Sequence, residues 1–271
     1  MRYAFMSFSA PGLSFGGLIE LARRYGYDGI EPRIGAQHAH GLEVETSPAE
    51  RRALREQAEQ AGIAICCLAT GYAFADPRAA PAMVDATRSA LALAADVGAP
   101  RLRVFGGAVP ADVGRAHARD SLIASLAALA EEAGQHGVTI CLETHDDWTD
   151  PALVAGVMQA VNHPAIAVNW DFQHTTRQAG ATIDAAFATL RPWVRHVHFH
   201  DGENRRDRLV FLPIGAGQYD IRRVVEVLLD AGYDGFLSGE WIDWEPYEQH
   251  LPRELDAMRQ IERAVRAARG A

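Results

Sequence analysis

The chain has 271 residues, of which 48% are hydrophobic and 23% charged, a balance that is typical of a folded globular enzyme. It carries 35 acidic and 26 basic side chains, and its net charge of −9 weighs against a nucleic-acid binder, which needs a dense basic surface. All of the basic residues are arginine. The lack of lysine excludes Schiff-base aldolases, pyridoxal enzymes and P-loop enzymes, because their chemistry requires one.

The cysteines and the apolar segments indicate the cellular compartment. Cys66, Cys67 and Cys141 lie in apolar runs without the spacing of a disulfide framework or a zinc site, so we expect them to fill buried strands. The longest uncharged segment, residues 151–170, is interrupted by proline, asparagine and histidine and is not expected to span a membrane. The chain opens in a strand-like segment without the apolar core of a signal peptide. We therefore expect a cytoplasmic protein that does not bind membranes.

Strand-like and helix-like segments alternate along the chain. Short apolar runs that are typical of buried parallel strands lie at residues 1–5, 29–31, 63–69 and 138–142, and others end near residues 105, 171, 201 and 240. Helices are indicated by a capping box at Ser47, by a similar start at Asp150, and by apolar stripes over residues 122–133 and 255–265.

Glycines mark the predicted junctions from helix to strand at Gly26, Gly62, Gly98, Gly137 and Gly232. The first three are spaced roughly 36 residues apart, which is the length of one strand plus one helix and leaves room for about seven to eight such units. We therefore predict an α/β fold in which residues 1–271 form a single (β/α)8 barrel domain. The alternative, an open doubly wound sheet, is weakened because no GxGxxG motif follows the first strand.

Metal-ligating side chains follow four of the later predicted strands. In chain order they are Glu143 with His145, Asp171 with His174, His198 with His200, and Glu240. One such residue alone is more often a helix cap or a solvated rim residue, but repetition on four successive strands predicts a site at the carboxyl ends of the barrel strands. Three carboxylates and one imidazole, without a thiolate, are typical of a site for Mn²⁺, Mg²⁺ or Co²⁺.

These residues fall within an ordered set of motifs. The set comprises Gly-Tyr-Asp-Gly-Ile-Glu31, Leu142-Glu143, Asp171-x-x-His174, His198-x-x-Asp201, Ile214-Gly215-x-Gly217-x-x-Asp220 and Gly239-Glu240. With this set the chain resembles, over nearly its whole length, the xylose-isomerase-like barrel superfamily of sugar isomerases and epimerases.

The resemblance implies roles for these residues. It implies that a single metal ion is bound by four ligands, Glu143, Asp171, His198 and Glu240. His174 and Arg205 would contact substrate hydroxyl groups, and we also expect Glu31 and His145 at the substrate site, with His145 as a reserve acid or base. In ketohexose and inosose members of the superfamily the two glutamates also transfer protons, which makes Glu143 and Glu240 the predicted catalytic pair.

We therefore predict a metal-dependent isomerase or epimerase that moves a proton next to the carbonyl of an unphosphorylated keto-sugar or keto-cyclitol, through a metal-stabilised enediolate. Glu143 and Glu240 end the fifth and eighth predicted strands, so they would face opposite sides of the reacting carbon, which favours two-base inversion. The main alternative is a dehydratase or lyase, in which the same enediolate expels a β-hydroxyl group. The expected cofactor is one divalent ion, Mn²⁺ first, with Mg²⁺, Co²⁺ and Zn²⁺ as alternatives.

Two further classes are weighed against this prediction. The AP-endonuclease branch of the superfamily binds three zinc ions through extra histidines, but the third and fourth predicted strands end in Leu-Ala-Thr70-Gly and Val-Phe105-Gly-Gly without one. A non-catalytic member would lack ligands, and all four are present. The expected partner is a small-molecule sugar or cyclitol rather than nucleic acid, and a homo-oligomer is left open.

Overall fold

Strands and helices alternate along the chain, and the computed structural model describes them over residues 1–205 and 208–270. The strands are β1 (Arg2–Met6), β2 (Gly29–Glu31), β3 (Ala64–Ile65), β4 (Leu68–Ala73), β5 (Arg101–Phe105), β6 (Thr139–Glu143), β7 (Ile166–Asp171), β8 (Val194–Phe199), β9 (Asp201–Arg205), β10 (Arg208–Leu212) and β11 (Phe236–Gly239). The helices are α1 (Phe15–Tyr25), α2 (Pro48–Ala61), α3 (Ala80–Val97), α4 (Arg115–Gln135), α5 (Pro151–Val161), α6 (Phe172–Arg177), α7 (Ile183–Leu190), α8 (Ile221–Asp230) and α9 (Tyr247–Arg269).

The parallel strands form a ring with eight positions. Around the sheet they follow the order β3, β2, β1, β11, β8, β7, β6, β5 and β4. Only Cys66 and Cys67 separate β3 from β4, so both edges of the sheet belong to one stretch of chain. The N–H of Ile34 donates to the carbonyl of Ala69 (3.0 Å) and the N–H of Ala69 to that of Pro32 (2.9 Å), which joins the edges. The predicted (β/α)8 barrel is confirmed.

The helix ends follow the capping signals in the sequence. Ser47 Oγ accepts a hydrogen bond from the N–H of Glu50 (3.3 Å), and the Glu50 carboxylate accepts one from the N–H of Ser47 (3.0 Å). Gly26 and Gly62 end α1 and α2 with left-handed φ angles of 85° and 70°, which residues with a side chain rarely adopt. The predicted glycine junctions therefore lie where one strand–helix unit passes into the next.

An antiparallel hairpin, β9 and β10, leaves the ring after β8. We predicted one strand running through Asp201, whereas β8 ends at Phe199 and Asp201 begins β9. The Asp201 carboxylate accepts hydrogen bonds from the N–H groups of Gly215 (2.9 Å) and Gly217 (3.1 Å). The glycine motif before the last strand thus holds the base of the hairpin against the barrel.

The apolar core lies between the strands and the surrounding helices, while the inside of the ring is polar towards the carboxyl ends of the strands. The charged and polar side chains buried there, each at most 1% exposed, are Glu31, Arg103, Glu143, Asn169, Asp171, His196, His198 and Ser238. Among the helices of the described residues, none combines the length and the apolar character that a membrane span requires.

Gly29, at the start of β2, is closely packed against neighbouring strands. A Cβ atom on this residue would lie 2.8 Å from the Phe236 ring and 2.9 Å from the carbonyl oxygen of Ala64. We expect Gly29→Ala to lower the free energy of unfolding by about 1–3 kcal/mol, as overpacking does. Denaturant titration followed by circular dichroism measures this change.

The matched control is Gly156→Ala in α5, where a Cβ atom would meet nothing within 4 Å. This variant should raise the free energy of unfolding by up to about 1 kcal/mol, because alanine favours the helix more than glycine does. A Gly29→Ala protein as stable as the Gly156→Ala protein would contradict the packing seen at β2.

The three cysteine side chains are all fully buried. Burial raises the pKa of Cys141 to about 12 and the pKa values of Cys66 and Cys67 well above the ordinary thiol value. Since only the thiolate reacts, and a raised pKa keeps the thiol protonated until the pH approaches that value, iodoacetamide should label none of them in the native protein at about pH 8. Mass spectrometry should find three labels after denaturation, and rapid labelling of the native protein would contradict the burial.

Candidate functional site

Four side chains from adjacent ring strands converge at the carboxyl end of the barrel. Glu143 ends β6, Asp171 ends β7, His198 lies in β8, and Glu240 follows β11. In the parallel register Asp171 pairs with His198, which brings neighbouring side chains together. One carboxylate oxygen or ring nitrogen from each of the four lies within 4.8 Å of those from the other three. The structure thus brings together the four residues that we predicted as metal ligands.

The atoms of this cluster fit a divalent cation. Both carboxylate oxygens of Glu143, Oδ2 of Asp171 and Nδ1 of His198 are buried and form no hydrogen bond with the described residues. Burial and the charges of Glu143 and Glu240 raise the pKa of Asp171 to about 8, so the cluster alone holds more negative charge than it can stabilise. Oxygen ligands and one imidazole nitrogen suit Mn²⁺, Mg²⁺ or Co²⁺, and a cation would satisfy these atoms.

His198 is fixed between the cluster and a second layer of polar side chains. Its Nδ1 lies 3.2 Å from Glu240 Oε2 and 3.6 Å from Glu143 Oε1, while its Nε2 lies 3.1 Å from Glu31 Oε1. The other oxygen of Glu31 lies 2.8 Å from Nε2 of His196. We predicted Glu31 as a substrate contact, but the structure places it behind His198, where it orients the imidazole and leaves Nδ1 for a metal ion.

Asp171 is oriented by its own neighbours. Its Oδ1 accepts a hydrogen bond from the N–H of Gln173 (2.9 Å), which caps the short helix α6. Its backbone N–H donates to Thr144 Oγ1 (2.9 Å), and that hydroxyl donates to the Asp171 carbonyl (3.0 Å). Because these bonds hold the residue and occupy Oδ1, Oδ2 is left to face the cluster.

Arg103 in β5 is a buried cation beside the cluster that the sequence did not lead us to predict. It is 1% exposed, and its Nε lies 3.0 Å from Glu143 Oε2 while Nη2 lies 3.9 Å from Glu240 Oε1. Burial raises the pKa of Glu143, but the charges of Arg103 and His198 outweigh this and hold that pKa well below its usual range. An arginine between Leu102 and Val104 in an apolar strand was the signal in the sequence.

His145 and His174 stand next to Glu143. The two rings are 4.3 Å apart between centroids, and each offers a nitrogen within 4.8 Å of a Glu143 oxygen. Burial lowers the pKa of His145, but the Asp146 carboxylate, whose Oδ1 lies 2.9 Å from Nδ1, and the charge of Glu143 outweigh this and raise it to about 9. Burial and the neighbouring His145 lower the pKa of His174 to about 4.

Arg205 is the predicted substrate contact that the structure does not bring to the cluster. It lies at the exposed end of β9, and its Nε lies 2.7 Å from Glu203 Oε1. No contact joins it to the four-residue cluster within residues 1–205 and 208–270. Its role with a substrate hydroxyl stays a prediction.

Comparisons with known proteins agree with this architecture. A curated relative, the 3-dehydroshikimate dehydratase of Bacillus anthracis, is 24% identical over 220 residues, which cover 79% of this chain and 76% of the relative. Among solved structures, L-ribulose 3-epimerase matches with a TM-score of 0.81 and 17% identity, over 99% of this chain and 97% of that one. The IOLI protein with a bound zinc atom matches with a TM-score of 0.78 and 17% identity, over 98% of both chains.

At these identities the solved structures share the fold and establish nothing finer. A family model described as "Xylose isomerase-like TIM barrel" matches residues 19–261. Because this match covers most of the chain, the protein belongs to the xylose isomerase-like TIM-barrel family.

Proposed function

We propose that the protein is a divalent-metal-dependent enzyme that removes a proton next to the carbonyl of a cyclic polyhydroxylated ketone and then eliminates a β-hydroxyl group as water. The observation that carries this proposal is the grouping of Glu143, His145 and His174 beside the four-residue cluster. A divalent ion, when held by Glu143, Asp171, His198 and Glu240, would withdraw electrons from substrate oxygens and so acidify the neighbouring C–H bond.

The base in this proposal is Glu240. Its carboxylate lies 3.9 Å from Arg103, whereas that of Glu143 lies 3.0 Å from the same guanidinium. A close, buried guanidinium opposes protonation of a carboxylate, so Glu240 accepts a proton more readily than Glu143 does. Glu240 is also 7% exposed while Glu143 is fully buried, which leaves Glu240 nearer to an incoming substrate.

The acid in this proposal is His145. Asp146 contacts its Nδ1 at 2.9 Å, and a carboxylate in that position stabilises the protonated ring, as in other paired histidines. Once Glu240 has taken the C–H proton, the electron pair left on carbon would form the C=C bond as the C–O bond of the β-hydroxyl group breaks. His145 would donate its Nε2 proton to the departing oxygen. The water that leaves carries the proton of His145, and exchange through solvent returns the proton taken by Glu240 to His145. The net change is therefore loss of one water molecule, and no oxidant is needed.

Epimerisation is the second candidate. It is supported by the ring positions of Glu143 and Glu240, three strands apart, and by the structural match to L-ribulose 3-epimerase. Two-base inversion requires Glu143 as well as Glu240 to carry a proton in turn, and the guanidinium of Arg103, 3.0 Å from Glu143, opposes this for Glu143. The match to a 3-dehydroshikimate dehydratase also favours elimination.

The metal part of the proposal is tested by elemental analysis. Protein loaded with Mn²⁺ and then dialysed should retain about one ion per chain, because four ligand atoms converge on one point. Asp171→Asn and His198→Gln should each lose most of that ion, since each removes one ligand. The surface variant Asp184→Asn, with the same loss of charge, should retain it. No bound ion in the unaltered protein, or about three zinc ions, would reject the proposed centre.

The elimination step is tested with 3-dehydroshikimate, L-ribulose and an inosose, followed by NMR in D2O with Mn²⁺-loaded protein. We expect loss of water from 3-dehydroshikimate. His145→Gln should slow water loss by about 10²–10⁴-fold, the usual contribution of a general acid, while exchange of the acidic C–H for deuterium continues. Glu240→Gln should stop both.

The matched control is the exposed His136→Gln at the end of α4, which should keep both rates. Inversion of a keto-sugar without loss of water would favour the epimerase candidate. Wild-type rates of water loss in His145→Gln would remove His145 from the mechanism.

A further inference from the structure

Arg33 lies across the mouth of the barrel from the four-residue cluster. It follows β2, pairs with Ala69 of β4 through a parallel bridge, and therefore stands between the second and third ring positions. The cluster occupies the fifth to eighth ring positions, on β6, β7, β8 and β11. A substrate that reaches from the cluster across the mouth would approach Arg33.

The backbone of β4 leaves room for the guanidinium group of Arg33 at the mouth of the barrel. A Cβ atom on Gly71 would lie 2.6 Å from Nη2 of Arg33, so glycine at that position lets the arginine lie against β4. Nη1 of Arg33 donates to the carbonyl of Ile34. The neighbouring carboxylate of Glu43 instead accepts a hydrogen bond from the N–H of Gly35 (2.6 Å). Within the described residues, Arg33 forms no ion pair.

The charge of Arg33 is thus poorly balanced. Burial and the like charge of Arg103 lower the pKa of Arg33 to about 10, and the charges of Glu43 and Glu240 only partly offset this. Arg103 itself is neutralised by Glu143 at 3.0 Å. A half-buried guanidinium that has no carboxylate partner and lies near a second guanidinium is stabilised when an anionic ligand binds to it.

We propose that Arg33 binds a carboxylate group of the substrate, so that the site takes a keto-cyclitol acid rather than a neutral or phosphorylated sugar. The inference rests on the proposed function and names the substrate class for it. A planar guanidinium matches a carboxylate with two parallel hydrogen bonds, and one arginine suffices for that geometry.

The test compares two ligands of similar shape, one with a carboxylate group and one with a neutral amide in its place. Loss of water from 3-dehydroshikimate, followed by enolisation, gives 3,4-dihydroxybenzoate, which has two adjacent oxygens and one carboxylate. Its neutral amide, 3,4-dihydroxybenzamide, keeps the oxygens and loses the charge. Calorimetric titration of Mn²⁺-loaded protein should show the benzoate binding at least about tenfold more tightly, the difference expected for hydrogen bonds to a charged group.

Variants at position 33 assign that preference to one side chain. Arg33→Gln should weaken binding of the benzoate at least about tenfold and leave binding of the amide unchanged. Arg33→Lys should restore part of the preference, because it keeps the charge and loses the planar fork. Arg263→Gln, an exposed arginine of α9, is the control with the same loss of charge and should change neither affinity. Metal content and thermal unfolding of each variant report on its folding.

Four outcomes would overturn the inference. They are equal affinity for both ligands, a preference that survives in Arg33→Gln, no binding of either ligand, and displacement of the benzoate by inorganic phosphate at lower concentrations than by acetate. None of these measurements depends on turnover. A carboxylate preference that vanishes in Arg33→Gln, in a protein that does not dehydrate 3-dehydroshikimate, would support Arg33 and reject the proposed reaction.

Discussion

Concentrated negative charge at the carboxyl end of the barrel is the constraint on which the rest of the site depends. Glu31, Glu143, Asp171 and Glu240 meet there, and all are buried. Each buried charge costs several kcal/mol unless a partner compensates it, so the ring has to supply cations at the same place. Arg103 and the imidazoles supply part of this charge, and the unsatisfied atoms of the cluster leave room for a divalent ion to supply the rest.

The concentration of buried charge also requires that each ligand side chain be oriented by neighbouring polar groups. Glu31 contacts Nε2 of both His196 and His198, which fixes the ring that points Nδ1 at the cluster. Thr144 and Gln173 do the same for Asp171 through its backbone and its Oδ1. A site whose ligands are positioned before a metal or a substrate arrives loses little conformational entropy on binding, which is how such supporting bonds raise affinity.

The ring also separates charge across its mouth. The four cluster residues occupy the side formed by β6, β7, β8 and β11, while Arg33 lies at the opposite edge and Arg103 between them. Glu31 of β2 is paired with His196 and His198. A substrate with oxygens at one end and an anionic group at the other would fit this gradient in a single orientation. In the proposed reaction, that orientation would decide which C–H bond faces Glu240 and which hydroxyl faces His145, and therefore whether the activated substrate is reprotonated or loses water.

The sequence by itself determined the barrel, because strand periodicity and helix caps are local, and it predicted a site at the ends of the later strands, because parallel strands end at one edge. The choice of four ligands among the candidates there came from the family resemblance. Only the tertiary structure decided where Glu31, Arg33 and Arg103 lie relative to the cluster. Their strands precede those of the cluster, and closure of the ring, which no local pattern records, sets their distances to it. The structure also separated Arg205 from the cluster, because the hairpin β9–β10 carries it outward to a pairing with Glu203 that chain order does not reveal.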